Sequence, residues 1–375
     1  MSWRETTLGE ITDLKRGFDL PKSQRLQGDV PVYSSSGITG SNSTAAVEGP
    51  CVITGRYGTI GEVFFSGGPC WPLNTALYST EFNGNNPRFV YYLLQTIPWQ
   101  GYTTASAVPG VNRNHVNLCP VKIPDKATQD AIVEVLDSIV DKIALNNQLN
   151  DYLLELATSL FDERIKDSFE YTTVREYVKY MSNGSTPSRK NSSYWDDGTI
   201  PWIKTGEVNN KLIFDTSEHI TKHALEKTSV HLLPKDTVIM ALYGSGTAGR
   251  LALLQSPATT NQACTAMICE SSSEAFYLFV VLKKMYHEID NLTRGSVQQN
   301  LSKEIVANLR VPNVKKDILD SLGFNVIYSQ IAFSEAETLN LTKLRDALLP
   351  RLMSGEIDVS KVDLTQLTNN HLADC

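Results

Sequence analysis

Apolar positions recur at helical spacing in two long stretches. In the first, Ile132, Leu136, Ile139 and Ile143 step by four, three and four; polar Asn146-Asn147 interrupts, and the stripe resumes at Leu149, Leu153, Leu156 and Leu160. In the second, Leu322, Ile327, Ile331, Leu341, Leu344, Leu348 and Leu352 carry the face. A stripe this narrow has the width of a seam between paired helices. Each stretch covers roughly forty residues, about 60 Å as a helix, which is more than one ordinary domain needs for its own cover. The pattern predicts that the two helices pair with each other.

Ahead of each stretch the pattern changes to short strand-like runs broken by Gly, Pro, Asn and Ser. Val30-Pro31-Val32-Tyr33 stands against Ile200-Pro201-Trp202-Ile203, and Cys51-Val52-Ile53 against Val238-Ile239-Met240. Both blocks open alike, with Thr6-Thr7-Leu8-Gly9-Glu10 and Thr172-Thr173-Val174-Arg175-Glu176. An apolar helix follows in each, Phe89 to Gln95 and Phe276 to Tyr286. Each block closes at Ile123-Pro124 or Val311-Pro312, where proline holds the preceding residue extended and marks a boundary.

The blocks are copies of one unit. Gly58-Thr59-Ile60-Gly61 recurs as Gly246-Thr247-Ala248-Gly249, 188 residues later. Asn74, Ala76 and Phe89 recur as Asn261, Ala263 and Phe276 at 187, and Pro124 as Pro312 at 188. The helical positions Ile139, Ile143, Leu153, Leu156 and Leu160 recur as Ile327, Ile331, Leu341, Leu344 and Leu348, also at 188. An offset this constant over a hundred residues marks a duplication. The expected division is 1–124 and 168–312 as two mixed α/β (α+β) domains, 125–167 and 313–357 as helices, and 358–375 as a polar tail.

Charge changes the picture only when divided the same way. The net charge of −7 at neutral pH argues at first against a polyanionic partner. Yet residues 1–124 hold 9 basic and 8 acidic side chains and 168–312 hold 15 and 14, so both domains are near neutral. The acidity sits in 125–167, with 4 basic and 10 acidic side chains, and in 313–375, with 6 and 9. Attraction to phosphate depends on local patches, so basic clusters within the domains remain candidates. No run of roughly 18 apolar residues occurs, and the N-terminus lacks a signal peptide's apolar core. The six cysteines form no C-x-x-C pair. A cytoplasmic protein with reduced thiols, no membrane partner and no zinc site is expected.

Several motifs invite catalytic readings that their surroundings do not support. Gly244-Ser245-Gly246-Thr247-Ala248-Gly249 fits the dinucleotide fingerprint, with Glu270 about twenty residues on. That mechanism needs a helix starting at the last glycine, and Pro257 arrives too soon for one. Asn86-Pro87-Arg88-Phe89 is similar to the N-P-P-F/Y of adenine methyltransferases but lacks the second proline, and Pro87 is better placed to start a helix. Asp13-Leu14-Lys15 is an isolated nuclease-like fragment. His219 and His223 have metal spacing if helical but no third ligand. No catalytic residue and no metal site is assigned.

Leu344-Arg345-Asp346-Ala347-Leu348-Leu349-Pro350-Arg351-Leu352-Met353-Ser354-Gly355-Glu356-Ile357 resembles the signature that ends the specificity (S) subunits of type I restriction-modification enzymes. The Gly-Thr-x-Gly turns and the order globular–helix–globular–helix resemble the same family. The resemblance covers about residues 1 to 357. It implies two target-recognition domains that each read half of a bipartite DNA site, joined by an antiparallel coiled coil of the two helices with an approximate two-fold. It further implies docking of two methyltransferase subunits and of restriction/translocase subunits. S-adenosylmethionine, ATP and Mg would sit on those partners, with no cofactor in this chain. A related arrangement, with methylation and cleavage fused in one partner polypeptide, is the alternative.

Arg, Lys, Asn and Gln on loops suit phosphates and base edges of double-stranded DNA. In the first domain the candidates are Lys15, Arg16, Lys22, Arg25, Arg56, Tyr57, Asn112, Arg113 and Asn114. In the second they are Arg189, Lys190, Tyr194, Lys204, Tyr243, Arg294, Gln298 and Gln299. Gly110-Val111-Asn112-Arg113-Asn114-His115 and Gly295-Ser296-Val297-Gln298-Gln299-Asn300 are expected to occupy matching places. The helix seam and partner docking fall to Ile139, Ile143, Leu153, Leu156, Leu160, Ile327, Ile331, Leu341, Leu344 and Leu348.

Overall fold

The β-branched run Cys51–Gly55 forms a strand in which every residue is buried, because both its faces are covered. Successive side chains alternate between faces. Val52 turns toward the helix Pro87–Gln95, while Cys51 and Ile53 turn toward Tyr33, Cys70 and Tyr78. The computed structural model describes residues 2–103, 110–244, 246–294 and 300–362, with the backbone alone at 292–294. It divides into two units, Met1–Ile143 with Asn340–Cys375, and Ala144–Leu339. Both divisions fall inside a long helix.

In the first unit the four-stranded antiparallel sheet runs Lys15–Arg16, Ala76–Ser79, Cys51–Gly55, Val63–Ser66. A three-stranded sheet of Gly37–Asn42, Val30–Ser34 and Trp71–Pro72 packs below it, the last two strands parallel. Trp3–Thr7 pairs antiparallel with Pro120–Pro124. Pro87 occupies the first turn of its helix, where its missing N–H costs nothing, and the Asn86 side chain accepts from the amides of Arg88 and Phe89.

The second unit repeats this plan. Tyr180–Asn183, Cys264–Ile268, Thr237–Ala241 and Leu251–Leu254 form the main sheet, extended by Lys211–Ile213. His219–Ile220, Ile200–Ile203 and Thr259–Thr260 form the smaller one, again with one parallel pair. The helix Ser272–Lys284 is buried from Ser273 to Leu282. Leu251–Leu254, just after the glycine-rich turn, is a strand, so no helix begins at the last glycine of that turn. Among the described residues, no helix is long and apolar enough to cross a membrane.

The ladders correct the repeat register. Thr6 pairs with Val121 and Thr172 with Val311, and the amides of Leu8 and Val174 donate to Cys119 and Leu309 at 2.9 Å. The counterpart of Pro312 is therefore Lys122, at an offset of 190, and not Pro124. The offset returns to 188 within the helices. The first copy's helix runs unbroken over Lys126–Leu160. The second is not one helix over 313–357 as expected. Lys316–Ser321 is separate, Gly323 takes a left-handed φ of 85°, and the long helix is Phe324–Ser354.

Within the second unit the helices are antiparallel. The Asn146 amide donates to Ser334 O at 3.4 Å and Glu337 Oε2 at 2.7 Å, and the Ser334 hydroxyl donates to Asn150 Oδ1. Asn146 and Ser334 are buried and are counterparts at offset 188, so the local two-fold lies within a turn of this layer. Ile327, Ile331 and Ala157 are buried there, with Leu153, Leu154 and Leu160 packed against the cluster. In the first unit Ile139 is buried, Ile132, Val133, Val135 and Leu136 meet Leu352 and Met353, and Leu348 packs alongside. Ile143, Leu341 and Leu344 are half-buried.

Leu156 does not belong to the seam: it is 48% exposed. The inward line runs Asn146, Asn150, Leu153/Leu154, Ala157, Phe161, so Asn146, which seemed to interrupt the stripe, is part of it, while Asn147 is exposed. Buried amides are tolerated because they are hydrogen-bonded, and such a polar layer fixes helix register.

Beside this layer Glu335 faces Lys211 and Lys283 across a small cavity. Burial pushes its carboxyl above the usual range, against the pull of Lys211. A raised carboxyl pKa contributes stability below the unfolded value, about 4.3, and loses it as pH rises through the folded value. Glu335→Gln should therefore melt higher than the parent at pH 7 to 8, with the margin closing as pH falls toward about 4. A margin independent of pH would rule out Glu335 as its source.

Candidate nucleic-acid interface

In the first unit, strand ends and turns bring seven of the nine candidate residues together. Lys15, Arg16, Arg56, Tyr57, Asn112, Arg113 and Asn114, with Leu77, Tyr78, Gly110 and Val111, line an open cleft of about 1130 Å³. Lys15 and Arg16 form the short strand beside Tyr78 and Leu77. Arg56 and Tyr57 leave the buried strand Cys51–Gly55, and both their amides donate to Thr75 O, at 2.9 and 3.2 Å. Gly58, with a φ of 78°, then reverses the chain. The Val111 amide donates to Arg56 O at 2.9 Å, which draws the Asn112–Asn114 loop onto the same turn.

Local contacts hold these groups in place. The Arg56 guanidinium lies over the Tyr57 ring at 4.6 Å. The ring rests on Gly110, where an added Cβ would come within 2.3 Å of it. Asn112 Oδ1 accepts from the Asn114 amide at 3.0 Å and caps the turn that presents Arg113. Lys15 pairs with Glu81 at 2.5 Å, and that hydrogen bond raises the lysine pKa. The cleft lining carries four cations and no carboxylate, so it is locally basic in a chain of net charge −7.

Two candidates of the first domain stand apart from the cleft. Lys22 is exposed on a single turn, Lys22–Gln24. Arg25 Nη1 donates to Thr39 O at 2.7 Å, tying down the hairpin of Val30–Ser34 and Gly37–Asn42.

In the second unit Arg189 and Lys204 share Glu218, each at 2.5 Å. The guanidinium also lies 3.7 Å over Trp195 and 4.8 Å from Trp202. Lys204 first, then Arg189, holds the Glu218 carboxyl below the usual range. Tyr194 packs on His223 at 5.5 Å, and Lys190 is exposed beside Arg189. Tyr243 follows the strand Thr237–Ala241 and is 40% exposed. The Arg294 side chain, Gln298 and Gln299 lie outside the described residues.

The loop correspondence needs correction. The Leu301 amide donates to Leu242 O at 2.9 Å just as Val111 donates to Arg56. Ser302 caps Lys303–Ala307 as Asn112 caps Arg113–Val116. Gly110–His115 therefore matches 300–305 and not 295–300. Glu218 and Trp195, which hold Arg189 and Lys204, were missed, since a lone Glu or Trp carries no sequence signal without its neighbours.

The tempting motifs resolve into local structure. His219 Nε2 meets Asp215 at 2.7 Å from a strand, while His223 is on the helix Lys222–Lys227. Among the described residues no group of three or more His, Cys, Asp or Glu could hold a metal ion. What the cleft offers is charge for phosphates and amide and guanidinium edges for bases.

The family described as "Type I restriction modification DNA specificity domain" matches residues 1–155 and 166–321. The chain is 26% identical over 263 residues to the EcoR124I/EcoR124II specificity subunit of Escherichia coli, a match spanning 64% of this chain and 62% of that relative's length. It is 21% identical to the HindI specificity subunit of Haemophilus influenzae, over 95% of this chain and 99% of that one. A crystal structure of the type I restriction-modification system S subunit from M. genitalium has a TM-score of 0.61 at 16% identity, covering 94% of this chain and 96% of that one. That structure shares the fold.

Proposed function

This chain belongs to the type I restriction modification DNA specificity family, and from that premise we propose that it reads a bipartite, asymmetric sequence in double-stranded DNA for a restriction-modification complex in the cytoplasm. Residues 1–124 and 168–312 are the two readers. The observation that carries this is the basic cleft, which gathers Lys15, Arg16, Arg56 and Arg113 with Tyr57, Asn112 and Asn114. Adenine methylation and cleavage fall to two methyltransferase subunits and to restriction/translocase subunits, which hold S-adenosylmethionine, ATP and Mg. The test is to map methylated adenines in DNA from cells expressing the complex, then measure binding of the full chain to that site and to a scrambled one. Equal affinity for both would overturn the reading.

Partner docking is supported by an apolar line on the central helix. Leu145, Tyr152 and Leu156 are 59%, 59% and 48% exposed, and their spacing of seven and four places them on one face. Leu156→Asp should leave the melting temperature within a degree or two, because a surface substitution costs little. It should nonetheless prevent co-purification of the methyltransferase subunit. Normal assembly, or a cooperative loss of fold, would show that this face has another role.

A further inference from the structure

The ladders and backbone hydrogen bonds match the two recognition domains residue by residue where the sequence repeat slips. The Val111 and Leu301 amides donate to Arg56 O and Leu242 O, which aligns Tyr57 with Tyr243 and makes Cys264, not Ala263, the counterpart of Ala76. The two rings are 37% and 40% exposed, and each is followed by a glycine of positive φ, Gly58 and Gly244. Lys15 pairs with Tyr78 and Ser182 with Ala266, which aligns Arg16 with Asn183. The amides of Val111 and Leu301 align Asn112 with Ser302 and Arg113 with Lys303.

We propose that Lys303 and Asn183 are DNA-contact residues of the second recognition domain, standing where Arg113 and Arg16 stand in the first. The proposal rests on the reading of the chain as a two-domain DNA reader. Lys303 opens the helix Lys303–Ala307, and Ser302 Oγ, accepting from the Ile305 amide at 3.2 Å, fixes that turn. Val306 in the same turn is fully buried, so the backbone that carries Lys303 is anchored in the core while its side chain stays partly exposed. Asn183 is exposed at the end of its strand.

The side-chain chemistry assigns different roles. An ammonium is a point charge that suits a phosphate, whereas a guanidinium fork can also read guanine. An exposed asparagine amide matches the two hydrogen-bonding atoms of adenine's major-groove edge. Lys303 therefore positions the second domain on the backbone, and Asn183 reads a base.

The experiment uses the full chain and a duplex carrying the mapped target, with Lys303→Ala, Asn183→Ala and Arg113→Ala compared. Lys303→Ala should weaken binding to all sequences and lower the slope of log affinity against log salt by about one, with Lys303→Arg restoring the slope. Asn183→Ala should leave the slope alone and relax one position of the second half-site. Arg113→Ala should act on the first half-site. If Arg113→Ala acts and neither second-domain variant does, the correspondence is wrong and the reader model stands. If Arg113→Ala is also silent, the cleft itself is not a DNA site. Melting curves matching the parent assign each change to contact and not to folding.

Discussion

The double variant Arg56→Ala, Arg113→Ala should bind its DNA target at least about thirty-fold more weakly than the parent. Each side chain in a base or phosphate contact contributes about 1–3 kcal/mol. The two lie on separate loops of one cleft, so their effects should nearly add; tenfold corresponds to about 1.4 kcal/mol. Removing two cations from the phosphate field should also flatten the salt dependence by up to about two ion equivalents. Arg56 carries a second consequence, because its guanidinium covers Tyr57 and its loss frees that ring. Arg25→Ala is the control: Arg25 does not line the cleft, so affinity and slope should stay at parental values. Parental binding by the double variant would remove the cleft from any account of recognition.

Asp137→Ala should cost about 2–3 kcal/mol of stability, placed below the range for fully buried pairs because both partners keep about a quarter of their exposure. Arg88 Nε meets both carboxylate oxygens at 3.1 Å, Nη2 meets Oδ1 at 2.5 Å, and the Tyr92 hydroxyl donates to Oδ1 at 2.5 Å. The guanidinium stands among Phe65, Tyr91 and Tyr92 at 4.8, 5.4 and 5.8 Å. Without the carboxylate, a cation is left among aromatic rings and a buried hydroxyl loses its acceptor. This cluster fastens the helix Pro87–Gln95 to the central helix, so the melting temperature should fall by about 5–10 °C. Asp137→Asn, which keeps the acceptor and loses the charge, should fall by less. A shift under about 1 °C in both variants would show that the cluster is not holding the unit together.

Periodicity made much of this fold legible. Short apolar runs broken by Gly, Pro, Asn and Ser marked Cys51-Val52-Ile53 and Val238-Ile239-Met240 as strands, and helical spacing marked both long helices. The candidate residues of the first domain were found because loops beside strand ends combined charge with amides, and the ladders then brought seven of them together. Pairings across sequence distance were not legible. Nothing in the sequence says that Glu218 will take up both Arg189 and Lys204, or that Arg25 will be occupied by a carbonyl. Asn146 was misread for a different reason: polarity suggests an outward position, and only the facing Ser334 and Glu337 make an inward one tolerable. The slip from 188 to 190 escaped because Pro124 and Pro312 look like counterparts until the ladder pairs Lys122's place with Pro312.

That slip gives Gly323 a significance beyond ending a turn. Between the closing strand and the buried helical positions, the second copy is two residues shorter than the first. On a continuous helix two residues rotate everything downstream by about 200°, enough to carry Ile327 and Ile331 from the seam to the solvent. The break at Leu322-Gly323 works as a slip joint: it discards the phase inherited from the domain before it and lets the pairing helix begin afresh at Phe324. The first copy is welded instead, with one helical phase running from Lys126 through the seam. Over evolutionary time the two joints should therefore differ in tolerance, with insertions and deletions accumulating beside Gly323 and being purged between Lys126 and Leu136.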